Sequence, residues 1–324
     1  MTAAKLIIGV SQTTLEQSHC WMPIEDVELV ALSPTKIDSR LADTVLGIWR
    51  RQHDRTAWIV SLLAALPKIR WIHNDTVGVD RLPLGDLLKR DILLTNSRGA
   101  FVSSMVEWAL CVMLMSTKRM PQFLAEAQAG IWASHVNPSD FRGLNVLIIG
   151  YGSVGRELAA KCSSLGLFVN CVRRQTSSDK IGESVNIISV KDDWRSLVSQ
   201  CDFLVIAVPL TAETGNLVDA DVIRRLKPTA RLINISRAQV VDENAMISAL
   251  RAGVFAEAWL DVFTVEPLPH DHQLWAEPKV FITPHKSSVG ESNELSTRLL
   301  FLREVQQMLK GLPPINQVNL EQGY

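Results

Sequence analysis

The sequence has no C-x-x-C motif and no paired cysteine spacing. Its five cysteines, Cys20, Cys111, Cys162, Cys171 and Cys201, are scattered through 324 residues. An odd, dispersed set excludes a disulfide framework and reads as reduced thiols in a cytoplasmic protein. Neither charge sign is in surplus: the formal net charge is −1, which gives no reason to expect nucleic acid or an anionic membrane as a partner. A long apolar run is also missing. The most apolar helical stretch, "MVEWALCVMLM", contains Glu107 and is shorter than the ~20 residues that span a bilayer. The opening "MTAAKLIIGV" is too short and too weakly basic for a signal peptide, and its apolar part reads as a first strand. Internal repeats, low-complexity tracts, a nucleophile elbow and a Walker motif are all absent. His270 and His272 form an H-x-H without a further ligand pattern, so they read as loop and no metal is expected.

What is present is ordinary for a soluble globular chain: 47% hydrophobic and 21% charged residues, in a length that suits two domains of about 150 residues each. The first hundred residues alternate apolar strands ("KLIIGV", "VELVALS", "TVLGIW", "IRWIHN", "ILLTN") with helix-compatible segments such as "RTAWIVSLLAALP". Such alternation predicts a parallel sheet with crossover helices. A long helix, "SSMVEWALCVMLMSTKRM", is expected to end near Pro121. A second series begins at "LNVLIIG" and continues through "LFVNCV", "CDFLVIAV", "RLINIS", "EAWLDV" and "VFITPH". Its unbroken apolar runs suit strands covered on both faces. A last helix is expected from about Glu291 to Lys310, stopping at Gly311 before Pro313 and Pro314.

"LNVLIIGYGSVGREL" places Gly150, Gly152 and Gly155 in a G-x-G-x-x-G array. One glycine makes the tight turn, one lets the backbone approach a pyrophosphate, and one lets helix pack on strand. The helix that follows directs its N-terminal N–H groups at the phosphates. The acid that normally binds the ribose 2′-hydroxyl lies ~20 residues on, at the end of the second strand. Here that place is held by Arg173, with Arg174, Gln175, Thr176 and Ser177 after it. A carboxylate repels a 2′-phosphate, whereas a guanidinium binds one in a forked, charge-assisted contact. The expectation is a preference for NADPH, with NADH use still possible; a solvated basic pair is the plain alternative.

Three later segments, "LINISRAQVVDENAMISALRAG", "AWLDVFTVEPLPHDHQLW" and "VFITPHKSS", resemble the D-isomer-specific 2-hydroxyacid dehydrogenase family. "VPLTAETGNLVDADVIRRLKP" and "TVGVD" (Thr76–Asp80) fit it too, so the resemblance extends over nearly the whole chain. "EPLPHDHQLWAEP" points, more loosely, to the glyoxylate/hydroxypyruvate reductase branch. Matching the motifs residue by residue implies a catalytic set of Arg237, Glu266 and His285. Reducing a 2-keto acid needs a cation for the carboxylate, a hydride donor on one carbonyl face and a proton for the developing alkoxide. Arg237 can hold the carboxylate in a forked contact and help polarise the carbonyl. His285 is then the proton donor, oriented by Glu266, which also favours the imidazolium and predicts weaker reduction at high pH. Taken singly, each is as compatible with a cap, a loop acid or a core histidine. Formate-oxidising relatives carry glutamine where Glu266 stands, which argues against that chemistry.

The resemblance further implies that Asp261 meets the nicotinamide carboxamide. It places Ser153, Val154, Val208, Pro209, Thr214, Ile235 and Ser236 along the cofactor, and joins the backbone N–H groups of Val77 and Gly78 to Arg237 at the substrate carboxylate. Trp49 and Arg50 sit where the family places side-chain specificity contacts, with an exposed aromatic–basic pair as the alternative. The implied fold is two doubly wound α/β domains: a Rossmann cofactor domain, 99–286, inserted into a flavodoxin-like substrate domain made of 1–98 and 287–324. The site is expected in the cleft, and a homodimer through the cofactor domains. The chain departs from the family at Ala238, Glu257 and Trp259 and in "KSSVG" after His285. His135, in "GIWASHVNP", falls in a loop that reaches a neighbouring active site in some relatives; a surface loop is the other reading. Two rival functions stay open: a dinucleotide-sensing corepressor-like protein, and an NADH-using dehydrogenase with a bulkier substrate.

Overall fold

The computed structural model of the chain describes residues 5–18, 26–174 and 185–324. They fall into two compact units, one of Met1–Ala100 with Glu291–Tyr324 and the other of Phe101–Gly290. These junctions lie a few residues beyond the expected 98/99 and 286/287. Cys20, Gln175, Thr176 and Ser177 lie outside the described residues.

The first unit is built on β1 (Leu6–Val10), β2 (Val27–Ala31), β3 (Gly47–Arg50), β4 (Trp71–Asn74) and β5 (Leu93–Asn96), in the order β2-β1-β3-β4-β5. All pairings are parallel. This is the flavodoxin-like doubly wound order. On one side a core of Ile48, Ile59, Leu62, Ile72, Leu87 and Leu94 packs the crossover helices. On the other, Ile8, Trp49 and Trp71 pack on Phe301 and Val305 of the helix Asn293–Leu309. That helix ends before Gly311, whose φ of 65° is a left-handed stop.

The second unit has β6 (Asn145–Ile149), β7 (Phe168–Arg173), β8 (Val185–Ser189), β9 (Phe203–Ile206), β10 (Arg231–Asn234), β11 (Glu257–Leu260) and β12 (Val280–Ile282). The sheet order is β12-β11-β10-β9-β6-β7-β8, all parallel. Counted from β6, this is the Rossmann order with one further strand, and its direction reverses between β6 and β9. Alternate residues serve opposite faces, as the two-residue repeat of a strand requires. Leu147, Ile149, Leu204, Ile206 and Leu232 enter one core; Val146, Ile148, Phe203, Val205 and Ile233 enter the other. Asp219 and Asp242 cap the helices that follow them, each accepting a backbone N–H of the first turn.

Two expectations need correction here. β8 is an additional strand: it is the edge of the sheet and mostly half-exposed, so its apolar signal is weak. The long helix ends at Thr117, and Pro121 lies in the first turn of a second helix, Met120–Gln128, after Arg119 in the left-handed region. Proline is well placed there because a first-turn N–H has no partner to lose. Between β8 and β9 lies a 3-10 helix, Trp194–Gln200.

Glu257 and Trp259, two of the departures from the resembled pattern, form one buried assembly. Glu257 accepts from Ser116 Oγ at 2.7 Å and from Trp259 Nε1 at 3.1 Å, with Arg231 Nε 3.5 Å away. The Trp259 ring stacks on Phe281 at 4.1 Å. A charged residue is tolerated at this depth because it is paired and hydrogen-bonded.

Candidate active site

The turn after β6 is shaped by its glycines. Gly150 has φ 114°, and a Cβ on it would meet Ala207 O at 2.4 Å; one on Gly155 would meet Gly150 O at 2.0 Å. Around Gly152 a Cβ would meet nothing within 4 Å. Two glycines are therefore required by packing, and the middle one opens onto free space. Gly152 is the N-cap of the helix Ser153–Ser164, which has no side-chain cap. An uncapped helix start with exposed N–H groups is suited to a pyrophosphate, so these residues fit a dinucleotide.

At the end of β7, the Arg173 guanidinium lies 5.7 Å from the ring centre of Tyr151, within cation–π range. Arg156 approaches the same ring at 5.7 Å. Arg174 is exposed and lies 3.7 Å from Glu213. Val208 and Pro209 follow β9, and Thr214 closes that loop by donating to Pro209 O at 2.7 Å.

His285 follows β12 with φ 53°, a conformation uncommon outside glycine. Its Nδ1 lies 3.1 Å from Glu266 Oε1 and 3.0 Å from Oε2. A carboxylate only accepts, so Nδ1 carries the hydrogen and Nε2 faces away from the acid. Glu266 is itself held by Phe263 N–H at 3.1 Å. The imidazole is thus fixed in orientation and tautomer while 37% of its side-chain surface remains accessible.

Arg237 leaves β10 through a turn that Asn234 templates. Asn234 Nδ2 donates to Arg237 O at 2.9 Å, and its Oδ1 accepts from Ser236 N at 3.0 Å and Ser236 Oγ at 3.1 Å. Ile235 is buried. Arg237 Nη1 donates to Ser236 O at 2.8 Å. Ala238, another departure from the resembled pattern, is buried at the start of a 3-10 turn.

Asp261, expected at the nicotinamide carboxamide, is buried. Its Oδ1 accepts from Thr283 Oγ1 at 2.5 Å and Lys286 N at 2.7 Å, and Oδ2 from Ser287 N at 2.8 Å. The carboxylate staples the chain on both sides of His285. The "KSSVG" departure is compatible with this because the staple uses backbone N–H groups.

Trp49 is buried, stacks on Phe301 at 3.9 Å and donates to Asp75 Oδ1 at 3.4 Å. Arg50 turns inward to Asn74 Oδ1 at 2.7 Å and Asp54 O at 2.8 Å. His135 lies 3.2 Å from Glu126, and His272 caps the 3-10 helix Gln273–Ala276. Among the described residues no His, Cys, Asp and Glu cluster could hold a metal, and no helix is long and apolar enough to cross a membrane.

Sequence reasoning missed Asn234, Asn74 and Asn96. Each ends a parallel strand, and the rule that ligands bind beyond the carboxyl ends of such strands could have flagged all three.

A Rossmann-ordered sheet with a glycine cradle and an acid-backed imidazole defines a dinucleotide-binding oxidoreductase. A profile of the NAD binding domain of D-isomer specific 2-hydroxyacid dehydrogenases matches residues 110–287. The chain is 30% identical over 269 residues to a glyoxylate reductase of Thermococcus litoralis, covering 80% of this chain and 79% of that one. It is 30% identical over 261 residues to glyoxylate/hydroxypyruvate reductase B of Pectobacterium atrosepticum, covering 78% and 80%. A D-isomer specific 2-hydroxyacid dehydrogenase from Xanthobacter autotrophicus, crystallised with NADPH and MES, aligns with TM-score 0.80 and 26% identity over 99% of this chain and 100% of that one. The chain belongs to the D-isomer specific 2-hydroxyacid dehydrogenase family and is an oxidoreductase.

Proposed function

We propose that this protein reduces a small 2-keto acid to the D-2-hydroxy acid and prefers NADPH. The observation that carries the proposal is the two-oxygen grip of Glu266 on His285 Nδ1. It directs Nε2, the nitrogen that is not engaged by the acid, toward the reacting oxygen. As the carbonyl is reduced, the imidazolium form of His285 passes its Nε2 proton to the developing alkoxide, leaving the neutral Nδ1–H tautomer, and Glu266 holds the ring's orientation throughout. Arg237 binds the substrate carboxylate and draws electron density from the adjacent carbonyl. The reduced nicotinamide, when bound, supplies the hydride. Gly150, Gly152, Gly155 and the start of the helix Ser153–Ser164 hold the pyrophosphate, with Val208, Pro209, Thr214, Ile235 and Ser236 alongside. Arg173 and Arg174 take the 2′-phosphate.

The relatives named glyoxylate and glyoxylate/hydroxypyruvate reductase support a short keto acid, and the NADPH in the Xanthobacter structure supports the cofactor. The test is purified protein with NADPH and with NADH, each against a panel from glyoxylate and hydroxypyruvate to aryl and alkyl pyruvates. Rapid NADPH oxidation with a short keto acid is the expected result. Tight dinucleotide binding without turnover of any 2-keto acid contradicts the proposal.

A further inference from the structure

Arg50, Asn74 and Asn96 form a row across the carboxyl ends of three adjacent strands: Arg50 is in register with Asn74, and Asn74 with Asn96. Beside them lies the loop Thr76–Gly78, and the row ties back all three of its carbonyls. Asn74 Nδ2 donates to Thr76 O at 2.8 Å and to Gly78 O at 3.2 Å. Asn96 Nδ2 donates to Val77 O at 2.9 Å. The N–H groups of Val77 and Gly78, by contrast, donate to no protein acceptor among the described residues. Val77 is 40% exposed. The loop therefore has its acceptors consumed and its donors presented, which is the polarity of an anion-binding nest.

What decides that polarity is the direction of one amide. Asn74 could present either its oxygen or its nitrogen to the loop. A guanidinium has only donors, so the Arg50 Nη1 contact at 2.7 Å requires the Asn74 oxygen to face Arg50. The amide nitrogen must then face the loop carbonyls. Arg50 is anchored from its other side by Asp54 O at 2.8 Å.

We infer that Arg50 and Asn74 are positioning residues: Arg50 fixes the Asn74 amide, and Asn74 turns the Val77 and Gly78 N–H groups toward the carboxylate of the substrate. This rests on the keto-acid reading above. It replaces the expected direct substrate contact of Arg50 with an indirect one that sets affinity for the carboxylate, whatever the rest of the substrate.

The test compares wild type with Asn74→Asp, Arg50→Met and Arg50→Lys. Asn74→Asp keeps an acceptor for Arg50 but removes the donor to Thr76 O and Gly78 O. Loss of one or two such bonds raises the keto-acid KM about tenfold or more for Asn74→Asp and Arg50→Met. In the same variants kcat and the NADPH KM stay within about threefold, a split that general loosening does not produce. Arg50→Lys retains one donor toward Asn74 and gives a smaller rise. Oxamate, an inert carboxylate, raises the Tm of wild type and fails to raise that of Asn74→Asp; Arg50→Met is measured in the same way should Asn74→Asp not fold. An unchanged keto-acid KM, or equal rises in the keto-acid and NADPH KM, overturns the inference. Should wild type turn over no 2-keto acid, the functional reading falls, and the oxamate shift decides the loop alone. A shift lost in the variants supports the nest, and no shift in wild type or equal shifts in all proteins overturn it.

Discussion

Glu266 holds His285 through both carboxylate oxygens, 3.1 and 3.0 Å from the same ring nitrogen, so the imidazole has one tautomer and one direction. Glu266→Gln can present an amide N–H to Nδ1 and invert the tautomer. The expected outcome is a fall in kcat of about 10²–10⁴, the range general acid–base catalysis commands. Dinucleotide affinity, measured by quenching of tryptophan fluorescence, stays near wild type.

Asp261 ties the chain on both sides of His285, and the prediction is that this is its main role. Asp261→Asn removes one acceptor oxygen from a set that receives Thr283 Oγ1 and the N–H groups of Lys286 and Ser287. Leaving such a buried group unsatisfied costs about 1–3 kcal/mol, visible as a lower denaturation midpoint, together with reduced kcat. A weakened dinucleotide Kd with unchanged stability is the result a carboxamide contact would give instead.

Much of this was legible in the sequence, and the reason differs from part to part. Apolar runs marked eleven of the twelve strands because parallel strands are covered on both faces; β8 escaped because it is an edge. The glycine array could be read because local spacing carries it, whereas Arg237, Glu266 and His285 were named through the family resemblance. The partners of Trp49, Arg50 and Asp261, which are Phe301, Asn74 and Lys286, were not legible because strand register and helix packing set them. Hydrophobicity reports that a side chain is buried and not what it meets. The same holds for Asn74 and Asn96, neighbours only because β4 and β5 pair in register.

The proposed NADPH preference makes cofactor choice depend on charge at the end of β7. Arg173→Asp exchanges a donor for a 2′-phosphate with a repelling carboxylate, so KM for NADPH rises about 10–100-fold, the loss of a charge-assisted contact, while KM for NADH changes little or falls. Equal effects on both cofactors in initial-rate assays contradict this assignment.

Stability should depend on pH through His73. Burial, reinforced by the nearby Arg51 charge, pushes its imidazole down from 6.5 to about 3; Thr95 Oγ1 lies 2.8 Å from Nδ1. Between those values the unfolded chain binds a proton that the folded chain does not. The contribution is complete above pH 6.5 and is lost as pH falls toward 3. It is on the order of a few kcal/mol. In urea titrations between pH 7 and pH 4, His73→Gln should flatten the acid side of the stability profile relative to wild type; an identical slope contradicts the assignment.

The central claim, that His285 delivers the proton in a keto-acid reduction, is tested most directly by single-turnover NADPH oxidation with wild type and His285→Gln at saturating keto acid. The account predicts a rate at least about 10² lower in the variant, with NADPH bound as tightly as by wild type. A variant rate within a few-fold of wild type would contradict it.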